Sequence, residues 1–142
     1  MQDFIFTQGI WLGEGTIALT SSPELIKFYT KWEIEPLIND LIKATQIIQM
    51  QGVKESTRNT LTFMNITQET FDVIIENQYF EQVIGKGLRT EHTLSWNFNQ
   101  NSTFEGFESY KKLKNNELFL QAKYGCDQHR TLIEGILWQK SQ

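Results

Sequence analysis

The sequence predicts an all-β protein, an antiparallel up-and-down β-barrel of about ten strands with a short helix near residues 36–42. Three observations lead there. Aromatic residues make up 13% of the 142 residues, with ten Phe, four Trp and four Tyr, against only two Pro, a composition that suits pleated, half-buried strands. Apolar residues recur at every second position in run after run, the period of a strand with one buried face. Polar turn signals return every ~8–12 residues, the rhythm of an antiparallel sandwich or barrel. An open sheet of so many strands would expose two edges, and closure removes both.

The elements follow in order. Gly9-Ile10-Trp11 opens the first strand. In Ile26–Ile34, residues Ile26, Phe28, Trp32 and Ile34 share one face, and Lys27, Lys31 and Glu33 the other. The segment Glu35–Thr45 breaks the pattern, because Leu37, Ile38, Leu41 and Ile42 fall at helical spacing and Pro36 suits a first helical position. A short helix over 36–42 and then a strand to 53 is expected; the alternative is one helix to about Met50. Strands are next expected over Thr60–Ile66, over Thr70–Glu76 with Phe71, Val73 and Ile75 inward, and over Gln78–Leu88. Leu94, Trp96 and Phe98 mark the inner face of 93–98. After a turn at 97–102 come Thr103–Leu113, a turn at Lys114–Glu117, and Leu118–Tyr124 with Leu118, Leu120, Ala122 and Tyr124 inward. A turn at Gly125–Gln128 precedes Arg130–Trp138.

One domain over 1–142 is expected, since no linker, charge block or repeat divides the chain. A net charge of -4 argues against a nucleic-acid partner. No run approaches the ~20 apolar residues of a membrane span. Met1–Phe6 lacks the basic start of a secretory signal, and one lone thiol, Cys126, fits a reducing compartment; a cytoplasmic location is the expectation. The sequons at Asn65 and Asn101 then carry no meaning.

Gly9-x-Trp11 at the start of strand one, followed by Gly13-Glu14-Gly15, in a chain of meandering strands, resembles the calycins: the lipocalins, the fatty-acid-binding proteins and related barrels. The run from Trp11 to Gly15 looks like the opening of the nitrobindin-like branch. The resemblance implies that Trp11 plugs one end of the barrel and that Arg130, from the closing strand, packs over it. It also implies a small apolar molecule in the interior. The chain departs from those families in having no lipocalin disulfide pair, no Thr-Asp-Tyr turn, no Arg-x-Tyr clamp in its last strand and no Tyr-Pro stretch after its opening. The resemblance therefore implies a fold without a particular ligand.

Inward aromatic residues Trp32, Phe63, Phe71, Trp96, Phe98 and Tyr124 either fill the barrel or line a pocket, which is usually apolar with a few placed polar groups. Tyr110, Tyr124 and Arg130 are the candidates to orient a ligand. No cofactor is specified; His129 is a candidate haem ligand, because one axial His suffices and a nitrobindin-like barrel takes its own from near the C-terminus. His92 reads as a turn residue. Glu108, inward with Phe104 and Tyr110, is a candidate buried acid or base. A Cys126–His129 pair lacks a third group to orient it. Gly13-x-Gly15 and Gly85-x-Gly87 lack the remaining features of phosphate loops and read as strand bends or bulges, as do Gly106 and Gly135. No cluster has metal-ligand spacing, and no Ser has a nucleophile elbow.

The expected function is non-covalent binding of a small hydrophobic or amphipathic molecule inside the barrel. Two other classes stay open. One is an enzyme acting on such a ligand. The other is a homodimeric interaction module using Tyr29, Tyr79, Phe80 or Phe119 as an outward aromatic patch.

Overall fold

The computed structural model describes residues 4–78, 80–101, 104–126 and 129–140, and the side chains of these except 80, 81, 99–101, 104, 115 and 126. Ten strands form: β1 (Gly9–Leu19), β2 (Leu25–Ile34), β3 (Ile42–Met50), β4 (Thr57–Met64), β5 (Thr70–Asn77), β6 (Phe80–Arg89), β7 (Thr93–Asn101), β8 (Phe104–Lys112), β9 (Glu117–Cys126) and β10 (His129–Gln139). Each pairs antiparallel with its sequence neighbours, and β10 closes on β1 with Trp11 opposite Gln139 and Leu19 opposite Thr131. The result is an up-and-down barrel without a free edge. Strands β7 and β9 run further than the turn signals imply, through 97–101 and through Cys126.

The alternating pattern puts the expected residues inside. Phe28, Trp32 and Ile34 of β2, Phe71, Val73 and Ile75 of β5, and Leu94, Trp96 and Phe98 of β7 are all buried. Lys31 and Glu33 lie outside, 3.1 Å apart.

No helix forms at 36–42. Ile38 and Leu41 exchange both backbone hydrogen bonds, at 2.9 and 3.0 Å, around Asn39 and Asp40, whose φ angles are 53° and 62°. Two consecutive left-handed residues make a type I′ hairpin turn, and Asn and Asp tolerate that conformation best after Gly. Leu37 and Ile38 are 58% and 60% exposed, so the apparent helical stripe buries only Ile42 at its far end. The described residues contain one 3₁₀ turn, Lys114–Asn116, where a turn was expected.

The glycines are not at bulges. Register shifts occur between Ile75 and Asn77 and between Asn99 and Asn101, and pairing stays regular through Gly13, Gly15, Gly87 and Gly135. What they supply is room. Gly15 and Gly135 face each other across β1 and β10, and a Cβ on Gly15 would stand 2.0 Å from the Glu134 carbonyl oxygen. A Cβ on Gly87 would stand 2.2 Å from the Phe71 ring. Gly87→Ala is therefore expected to force that ring aside and cost about 1–3 kcal/mol, read as a lowered urea midpoint at unchanged slope.

Eight strands enclose an interior just wide enough for side chains to fill, and ten enclose more. The two halves of this barrel use that width differently. At the end where β1 begins, Phe4 and Ile5 fold into the lumen and are buried. Ile5 takes φ 62° there, costly for a β-branched residue and offset by its complete burial. Phe4 meets Trp11 and Trp32 edge-on, with ring centroids at 5.4 and 5.1 Å. Below it Trp32, Phe63, Phe71, Trp96 and Tyr110 interlock with centroids 5.2–6.4 Å apart, within the favourable range for aromatic pairs. This half is solid.

Arg130 does not cover Trp11. Because β10 runs antiparallel to β1, the start of β10 meets the end of β1: the Arg130 carbonyl accepts from Thr20 N–H at 3.1 Å. Trp11 lies nine residues along, roughly 30 Å away at strand rise. At the plugged end the Arg89 guanidinium sits 3.9 Å from the Phe6 ring centroid.

Candidate functional site

Past the aromatic plug, toward the end where β1 finishes, inward residues become smaller: Ile17, Ile48, Val83, Ala122 and Ile133. They enclose a cavity of about 210 Å³. An engineered apolar cavity of ~150 Å³ holds benzene, so this space suits a compact molecule. Phe28, Ile75, Phe98 and Leu120 complete its apolar wall.

Two polar groupings interrupt that wall. The first is Glu108 of β8, buried beside the plug. The Tyr110 hydroxyl donates to its Oε1 at 2.5 Å, Trp96 Nε1 donates to Oε2 at 3.3 Å, and the Tyr124 hydroxyl donates to the same oxygen. Register explains the meeting: Trp96, Glu108 and Ala122 lie opposite one another on β7, β8 and β9, and Tyr124 is one pleat further along the inner face. Burial raises the Glu108 carboxyl above the ordinary carboxylate range, against the opposing pull of its three donors. Burial also holds the Tyr110 and Tyr124 hydroxyls well above their ordinary value, reinforced by the carboxylate beside them.

The second grouping is a chain of amides across β3, β4 and β5. Asn77 Nδ2 donates to Asn59 Oδ1 at 3.0 Å, and Asn59 Nδ2 donates to Gln46 Oε1 at 3.0 Å. The three residues are register partners, and all line the cavity. Sequence reasoning missed them. The available signal was polar amides at inward positions, between Ala44 and Ile48 and between Thr57 and Leu61, but only the pairing register shows that they touch.

The expected site residues divide. Phe98 and Tyr124 line the cavity, while Trp32, Phe63, Phe71, Trp96 and Tyr110 form the plug beneath it. Tyr110 and Trp96 reach the site only through Glu108. Arg130 is exposed and borders a neighbouring hollow with Asn97, Glu105, Phe107 and Lys123, which shares Phe98 and Tyr124 with the cavity wall. His129 is exposed at the first position of β10 and does not line the cavity. His92 lies exposed between β6 and β7. The side chains of Phe104 and Cys126 lie outside the described residues. Of the expected outward aromatics, Tyr29 is exposed and Phe119 half-buried, and Tyr79 and the Phe80 side chain lie outside the described residues. Among the described residues no group of three His, Cys, Asp or Glu is placed to hold a metal, and no helix is long and apolar enough to cross a membrane.

No family model matches the sequence, and no curated protein matches it. Solved structures share its shape. The crystal structure of Rv2717c from M. tuberculosis aligns over 94% of this chain and 92% of its own, with a TM-score of 0.73 and 10% identity. The S-type phycobiliprotein lyase CPES from Guillardia theta aligns over 96% of this chain and 89% of its own, with a TM-score of 0.69 and 6% identity. The chain thus has a ten-stranded barrel of calycin-like fold.

Proposed function

We propose that the barrel binds one small, mostly apolar molecule in the cavity between Glu108 and the Gln46–Asn59–Asn77 chain. The observation that carries this reading is the division of the lumen into a solid aromatic half and a half lined by medium-sized apolar residues around two built polar groupings. Ten strands whose only task was to enclose a core would be expected to fill both halves, because interiors pack densely. Removing the ligand's apolar surface from water, at ~25 cal/mol per Å², supplies the affinity, and the polar groupings set orientation. That a barrel of this shape serves a phycobiliprotein lyase supports a ligand-handling role.

The test is calorimetric titration with toluene, together with native mass spectrometry of protein isolated from its host. Saturable one-to-one heat, lost in Ala122→Phe while the circular dichroism is unchanged, is the expected result. Ala122 is buried on the cavity wall, so the added ring takes the ligand's place. Equal heat in the two proteins places toluene elsewhere and contradicts the proposal.

A second reading rests on Glu108 itself. A carboxyl that lines a cavity and holds its proton above the usual range has the properties of a general acid–base group. Its signature is uptake of solvent deuterium at the carbon beside the carbonyl of acetophenone, lost in Glu108→Gln. Unchanged isotopic content leaves binding alone.

A further inference from the structure

The lining of the cavity restricts the ligand's charge as well as its size. No lysine, arginine or histidine occurs among the described residues that line it. Lys54, His129 and Arg130 are exposed and outside the lining. A carboxylate or phosphate drawn into this space would lose its water and meet Glu108, without a counter-charge. A cationic head at Glu108 would have to share carboxyl oxygens that already accept hydrogen bonds from Tyr110, Trp96 and Tyr124, and would give up its own water to do so.

Gln46 offers the complementary chemistry. It is 6% exposed and lines the cavity. Its Oε1 accepts from Asn59 at 3.0 Å, which orients the amide. Its Nε2 donates to no protein group among the described residues, yet it is not sealed in the wall as a buried, unpaired atom, as Trp32 Nε1 and Thr30 Oγ1 are. Two fixed N–H donors at the edge of an apolar cavity need an acceptor, and burying them without one is costly. Resting on the binding reading above, we infer that the cavity selects an uncharged, compact molecule bearing a carbonyl-type oxygen, seated on the Gln46 amide with its apolar body against Ile17, Phe28 and Ile133.

Compact aromatic probes test this. A long-chain anion can leave its charge outside at Arg130, whereas a molecule that fits within about 210 Å³ cannot. Benzamide, benzoate, benzylamine and ethylbenzene are titrated calorimetrically near neutral pH into the intact chain and into Gln46→Met. The expected order places benzamide at least about tenfold tighter than isosteric benzoate and than benzylamine, the penalty for stripping a charge of water without a partner. Gln46→Met is expected to bring benzamide down to the affinity of ethylbenzene and to leave ethylbenzene itself within about twofold, since Met fills a similar volume without donors. Should that variant fail to fold, the order among the four probes on the unsubstituted chain still decides. Benzoate or benzylamine binding as tightly as benzamide overturns the charge selection while binding stands. Failure of all four, ethylbenzene included, overturns the binding reading itself. Benzamide and ethylbenzene weakening equally in Gln46→Met removes Gln46 as the acceptor's partner.

Discussion

Trp32→Ala is expected to lower the unfolding free energy by about 3–5 kcal/mol, the range for deleting a large aromatic from a packed core. Trp32 is completely buried, and Phe4, Trp96 and Tyr110 lie around it with ring centroids at 5.1, 6.4 and 6.3 Å. Those rings come from three separate segments and cannot all move in to fill the gap. For a chain of this size the melting temperature should fall by roughly 10–20 °C. Comparing Trp32→Phe with Trp96→Phe separates packing from hydrogen bonding. Both trade an indole for a phenyl ring, but Trp32 Nε1 has no hydrogen-bond partner among the described residues, whereas Trp96 Nε1 donates to Glu108 at 3.3 Å. Trp96→Phe should cost about 1 kcal/mol more. Equal losses would mean that the bond to Glu108 contributes nothing net.

Glu108→Ala should cost about 2–4 kcal/mol, because Tyr110, Trp96 and Tyr124 lose their common acceptor. Glu108→Gln should cost much less, since an amide keeps an acceptor oxygen and can donate to a tyrosine oxygen in return. The pH dependence has a definite sign. The folded chain raises the Glu108 carboxyl above its unfolded value, so the folded state holds that proton more tightly. Its contribution to stability is full below the unfolded value and is lost as pH rises through the folded value. Tyr110 and Tyr124 are also raised, so a second loss begins in the alkaline range where unfolded tyrosines ionise. Urea unfolding at a series of pH values checks both. Glu108→Gln should flatten the decline that begins above the ordinary carboxylate range and leave the one that begins where unfolded tyrosines ionise. An identical first decline in that variant would assign that titration to another group.

Much of the barrel was legible in the sequence because one physical rule, inward at every second residue, writes itself directly into runs such as Phe71-Asp72-Val73-Ile74-Ile75. The rule fails where a turn mimics another period. Leu37, Ile38, Leu41 and Ile42 fit a helix until Asn39-Asp40 is recognised as a pair of left-handed residues. Glu108 was visible as an inward carboxyl, but its three donors come from positions that only the closed register brings together. The direction of β10 likewise decides which end Arg130 occupies, and composition says nothing of that. Periodicity cannot distinguish a filled half-barrel from an empty one. The clue lies in size along each strand: Trp32, Phe63 and Phe71 lie toward the plugged end, and Ile17, Ile48 and Ile133 toward the other. Reading it requires knowing how the strands are aligned.

The central claim is that one half of the lumen is solid and the other receives a molecule. The four indole N–H resonances report on it directly, since Trp96 donates to a cavity-lining carboxyl while Trp11 and Trp32 lie in the plug and Trp138 faces out. Titration with ethylbenzene, followed by proton–nitrogen correlation spectra, is predicted to move the Trp96 indole signal saturably and leave those of Trp11 and Trp138 in place. A spectrum in which Trp96 stays still, or in which Trp11 moves instead, would contradict it.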